Sequence, residues 1–190
     1  MEHAAHLVLN PWQNFYVVIG SSAATLTGLV FVVITVINNS SRARRTSEGT
    51  AAFTTPTVVH FGAALLVALV LSIPWPSLLS VAALLAFAGL YGVVYVIRTA
   101  IRIRRMSGYD ADTEDWIGHT LMPLLAYGAL LGGAVTLPAL AWQAMFAFAF
   151  GVAVLIFAGI HNAWDIVIFL AVDSPESSEG EAVAGQRGGK

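Results

Sequence analysis

Asp165 is the only carboxylate in an otherwise apolar stretch, where it closes the string His161-Asn162-Ala163-Trp164-Asp165. His161 and Asp165 stand four residues apart, so on a helix they share a face. A carboxylate one turn from a histidine can orient the imidazole, favour its charged form, or support it as a metal ligand. His60 and His119 also fall inside apolar runs. Three imidazoles and a carboxylate form a sensible set for Zn²⁺ or a similar ion, and equally a proton-responsive cluster. Histidine and asparagine at a membrane interface also serve as structural glue, bonding backbone, headgroups and neighbouring helices. The structural reading is preferred here. It assigns no catalytic residue, no cofactor and no metal, and leaves His60, His119, His161 and Asp165 as the ligands if a metal is held.

The elements that carry these residues follow from hydropathy. Of the 190 residues, 57% are hydrophobic and 11% charged, and the mean hydropathy is +0.77. A soluble domain carries about 25% charged residues, so this composition indicates a membrane protein. The net charge of −2 gives no nucleic-acid signal. Without cysteine there is no disulfide framework, thiolate zinc site or cysteine nucleophile. No cationic leader or small-residue cleavage motif precedes the first apolar run, which reads as a retained span.

A membrane span needs about 20 apolar residues. The sequence predicts an all-α bundle of five spans, at about 15–37, 56–73, 78–97, 117–137 and 141–163, the last with a cytoplasmic extension to 172. Residues 1–14 are expected as an external segment and 173–190, rich in Ser, Gly, Glu and Ala, as a disordered cytoplasmic tail. The second span reaches adequate length if Thr55 caps its helix and Pro56 takes the first helical position.

Orientation follows the basic residues. Arg42, Arg44 and Arg45 lie between spans one and two, and Arg98, Arg102, Arg104 and Arg105 between spans three and four. The 74–76 and Pro138 turns have none, so the N-terminus is expected outside and the C-terminus in the cytoplasm. Trp12, Trp75 and Trp142 then fall at the outer interface, and Trp116 and Trp164 at the inner one.

Counting from the outer turn near Pro138 places His119 and His161 each roughly 30 Å away. They are expected at one depth, near the inner interface, with Asn162 and Asp165 beside them and His60 on the same inner half. The acidic run Asp110, Asp112, Glu114 and Asp115 lacks the glycine and glutamate of a calcium loop and reads as solvated.

In the first span, Gly20, Ala24 and Gly28 recur every four residues, a spacing that lets helices approach closely. This stripe serves packing inside the bundle or, on the sharper reading, a homo-oligomer seam. The surrounding string, from Phe15-Tyr16 through Gly20 and Ala23-Ala24 to Leu26-Thr27-Gly28-Leu29-Val30-Phe31-Val32, resembles the opening helix of a loosely defined group of small, uncharacterised bacterial integral membrane proteins. The resemblance implies a multi-pass protein of the bacterial plasma (inner) membrane.

Three functions are compatible with these residues. The preferred one is a non-catalytic accessory or regulatory bundle whose partners are the lipid bilayer, a second copy of itself and a membrane protein. The first alternative is a small oligomeric ion channel or a proton- or metal-coupled transporter using the inner His/Asp cluster. The second is a His-dependent membrane enzyme. No nucleotide loop, nucleophile elbow or recognised zinc motif accompanies the histidines.

Overall fold

The computed structural model describes residues 2–39, 47–105 and 117–172, with side chains placed over 5–35, 56–102 and 118–164. Every regular element among the described residues is helical. Helix α1 (Glu2–Leu9) passes through a 3-10 turn (Asn10–Trp12) into α2 (Gln13–Asn39), and α3 (Ser47–Ser72) and α4 (Leu78–Arg105) follow. A π-helical turn (Ile117–Leu121) then leads into α5 (Met122–Thr136), and α6 (Ala141–Val172) completes the set.

Four stretches are long and apolar enough to cross a membrane: Ala5–Thr35, Leu78–Arg102, Gly118–Thr136 and Ala141–Trp164. The fifth, Pro56–Ser72, is a shorter apolar helix. The helices are compatible with a membrane protein by length and composition. Leu29, Phe31, Phe87, Phe146 and Phe157 point outward, an arrangement that water penalises and hydrocarbon accepts.

Two details depart from the sequence reading. Pro56 does not start a helix, because α3 begins at Ser47 and runs through it. Ser47-Glu48 is itself a good helix start, and a proline removes one backbone donor, which a helix in lipid tolerates. Residues 2–12 are also more than a solvent-facing segment. They are helical, with Ala5 and Leu9 buried, and the Trp12 ring meets Phe146 edge-on at 4.8 Å between centroids. The loop arginines 42, 44 and 45, the acidic run 110–115, Trp116 and the tail 173–190 lie outside the described residues.

Packing order differs from chain order. Helix α3 lies between α2 and α6, α5 lies between α6 and α4, and α3 and α4 touch little although a tight turn joins them. That turn is pinned by the Trp75 indole N–H, which donates to the Val70 carbonyl at 2.6 Å. The Ser77 hydroxyl oxygen caps α4 by accepting the Leu79 N–H at 3.2 Å. The end of the bundle bearing this turn and the 137–140 turn is filled by Tyr16, Leu71, Leu137, Met145 and Phe148, all fully buried. Tyr16 donates its hydroxyl to the Met145 carbonyl at 3.5 Å, tying α2 to α6.

Candidate functional site

The opposite end of the bundle is different in kind. Among the described residues, the buried side chains that are polar by nature are Thr57, His60 and Asn162, all on the parts of the apolar stretches Pro56–Ser72 and Ala141–Trp164 remote from the two turns. Tyr127 of α5 is also buried and brings its hydroxyl to His60.

Two close approaches set the register. Gly159 of α6 leaves the space that the Phe61 ring occupies, so α3 and α6 meet there. A Cβ on Gly118 would sit 2.6 Å from His161 Cδ2 and 2.8 Å from Nε2, so an edge of the imidazole abuts the π-turn backbone. The helices are antiparallel, so one step along α3 and one along the turn bring His60 and His119 to the level of residue 160. The structure thus gathers His60, His119 and His161 at one depth, from three separate elements.

Within this layer, His60 Nδ1 and the Tyr127 hydroxyl share a hydrogen bond of 3.1 Å, the tautomer deciding which one donates. The His119 and His161 rings stand 6.3 Å apart between centroids, tilted by 58°. Asn162 is 1% exposed, and neither its amide nitrogen nor its carbonyl oxygen has a hydrogen-bond partner. Among the described residues no three histidines or carboxylates converge closely enough to hold a metal ion. The Asp165 side chain lies outside the described residues, although its backbone continues α6.

The π turn has a physical origin. Pro123 cannot give an N–H to the carbonyl four residues earlier, that of His119, and the helix widens ahead of it. Such bulges recur at functional positions because they re-aim side chains. Here the widening carries Gly118 and His119 against α6.

Sequence reasoning named His60, His119, His161 and Asn162 but missed Tyr127, the buried hydroxyl of Thr57, and the close approaches at Gly118 and Gly159. A tyrosine hydroxyl inside an apolar span was the available signal for Tyr127, since a buried phenol needs a partner. The small-residue stripe of α2 divides between two surroundings. A Cβ on Gly20 would lie 3.2 Å from Ala68 Cβ of α3, whereas Gly28 has nothing within 4 Å and Ala24 faces outward. The nearby hydroxyls turn back on their own helix: Thr25 donates to the Ser21 carbonyl and Thr27 to the Ala23 carbonyl, both at 2.8 Å.

The buried amide makes a sharp prediction. An unmet buried donor and acceptor cost about 1–3 kcal/mol, so Asn162→Leu is expected to raise stability by about 1 kcal/mol in detergent. Thermal unfolding beside the wild type measures it. A clear loss of stability instead would mean that the amide is bound in the folded protein.

Comparison with family models, with curated proteins and with solved structures found no match.

Proposed function

We propose that this chain is an accessory or regulatory helix bundle of a membrane, acting through its helices rather than as a catalyst or a conduit. The observation behind this reading is the uneven distribution of buried polarity. Thr57, His60, Tyr127 and Asn162 occupy one end, while Leu71, Leu137, Met145 and Phe148 close the other, where the buried polar groups include the Tyr16 hydroxyl, committed to the Met145 carbonyl at 3.5 Å, and the Trp12 indole N–H. A path for ions needs polar groups or water along its whole length. Of the hydroxyls Ser22, Thr25 and Thr136, the two threonines do not supply them, because they are exposed on the outside of the bundle and donate to their own helices at 2.8 Å.

In this proposal the N-terminus is outside and the polar end is cytoplasmic, as the loop arginines favour. The resemblance of the opening helix supports a bacterial plasma membrane. A membrane protein partner engages the bundle, and the outward part of the α2 stripe, Ala24 and Gly28, is available to a second copy. The histidine layer keeps one competing reading in view: a buried His60–Tyr127 pair beside the facing His119 and His161 rings suits proton handling.

The absence of cysteine makes the test clean. Single cysteines at Ser77 and Ala139, in the two tight turns, are expected to react with an impermeant thiol reagent added outside intact cells. The same protein in proteoliposomes should carry no H⁺ or K⁺ flux above empty vesicles, and crosslinking in cells should recover a specific membrane partner. A flux abolished by His161→Gln in a folded variant overturns the accessory reading in favour of ion handling. Labelling only from the cytoplasmic side overturns the orientation.

A further inference from the structure

Helix α4 carries a second arrangement, on its outer surface. At 100° per residue, Phe87, Tyr91, Tyr95, Arg98 and Arg102 fall within an arc of about 80°, one narrow stripe along the helix. Phe87 and Tyr91 are 73% and 60% exposed, Tyr95 is half-buried, and Arg98 and Arg102 are exposed. The stripe therefore runs from apolar, through hydroxyl, to cationic. Val94, Ile97 and Ile101, all exposed, flank the arginines.

We propose that this stripe binds an anionic phospholipid of the surrounding leaflet, its phosphate at Arg98 and Arg102 and an acyl chain along Tyr91 and Phe87. Charge complementarity carries the assignment. Arg98 and Arg102 are the only Lys or Arg among the described side chains, which include no Asp or Glu. Guanidinium is the side chain best shaped for bidentate contact with phosphate oxygens. Length selects a lipid over a free anion. From Phe87 to Arg98 the helix rises ~16 Å, about half of a ~30 Å hydrocarbon core and so one leaflet deep. A free phosphate would use the arginines and leave the exposed aromatic track without a role. The inference rests on the membrane-spanning character of the bundle and is independent of the accessory function proposed above.

The test compares the intact protein in nanodiscs of phosphatidylcholine alone and of phosphatidylcholine with phosphatidylglycerol, reading retained lipid by native mass spectrometry after gentle release. Wild type is expected to keep phosphatidylglycerol in preference to phosphatidylcholine. Arg98→Gln/Arg102→Gln should lower that preference roughly thirtyfold, the effect of two basic residues near an anionic surface. Arg98→Lys/Arg102→Lys should retain part of it. Phe87→Ser should weaken retention of the lipid without changing the response to inorganic phosphate. Equal retention of both lipids by wild type, an unchanged preference in the glutamine variant, or displacement of the lipid by millimolar inorganic phosphate each overturns the proposal. The wild-type comparison stands whether or not the variants fold.

Discussion

Gly92→Leu is expected to destabilise the bundle by about 3 kcal/mol, the upper part of the range for forcing bulk into a filled site. The Tyr127 ring of α5 lies so close to the Gly92 backbone that even a methyl group there would overlap it. The tyrosine has little freedom to move, since its hydroxyl is held by His60 on α3. Expelling the ring would separate α4 from α5 and break that hydrogen bond together. Unfolding of the purified protein in a mild detergent measures the loss. Gly28→Leu provides the contrast: nothing lies within 4 Å of a Cβ at that position, and an outward change of this kind typically costs less than about 0.5 kcal/mol. Trimming the ring in the same background, Gly92→Leu/Tyr127→Ala, should recover part of the stability. If Gly92→Leu unfolds no more easily than Gly28→Leu, the close approach of α4 and α5 is wrong.

Cutting the buried pair should have the next largest effect. Tyr127→Phe removes one hydroxyl and leaves His60 Nδ1 without its partner in a residue only 1% exposed. His60→Leu does the converse to the phenol. Each single change is expected to cost about 1–3 kcal/mol, since each leaves a buried polar group unsatisfied. The double variant His60→Leu/Tyr127→Phe should cost less than the sum, because it leaves neither group stranded. The coupling is expected at about 0.6–1.7 kcal/mol, the range for hydrogen bonds between helices in a bilayer. Strict additivity would mean that the two side chains do not bond in the folded protein. Activity of any partner assay, measured on the same variants, would separate a structural clasp from a working site.

These two predictions rest on residues of unequal legibility. His60 stood out because an imidazole inside an apolar run is conspicuous, and counting along helices of known rise placed it away from the two tight turns. Tyr127 and Gly92 did not stand out. Tyrosine and glycine are ordinary in membrane helices, and only the packing of α5 between α4 and α6 makes this glycine intolerant of a side chain. The small-residue stripe of α2 shows the reverse. It repeats every four residues, yet only Gly20 of its two glycines has a neighbouring helix within reach of a Cβ. Spacing reveals that a close approach is possible, and the partner's position decides whether it is used.

The start of α3 makes the same point about local signals. Pro56 is a good first helical residue, but so is Ser47-Glu48 nine residues earlier, and a helix tolerates one proline where side chains, neighbouring helices or water satisfy the freed carbonyl. Four residues after His119, Pro123 has a larger effect. There the lost backbone bond coincides with a widened turn, and the backbone of that turn is what His161 rests on.

What the sequence determined by itself is an all-helical chain with stretches long and apolar enough to cross a membrane, and the placing of His119 and His161 at a similar level along their helices. Each depends on hydropathy and on a fixed rise per residue, both properties of the chain alone. Tertiary structure decided that α4 packs on α5 rather than on its hairpin neighbour α3. It also brought Tyr127 to His60 and left the Asn162 amide buried without a partner. Those outcomes depend on which helix faces which, and side chains far apart in the chain select that jointly through the space they leave for one another.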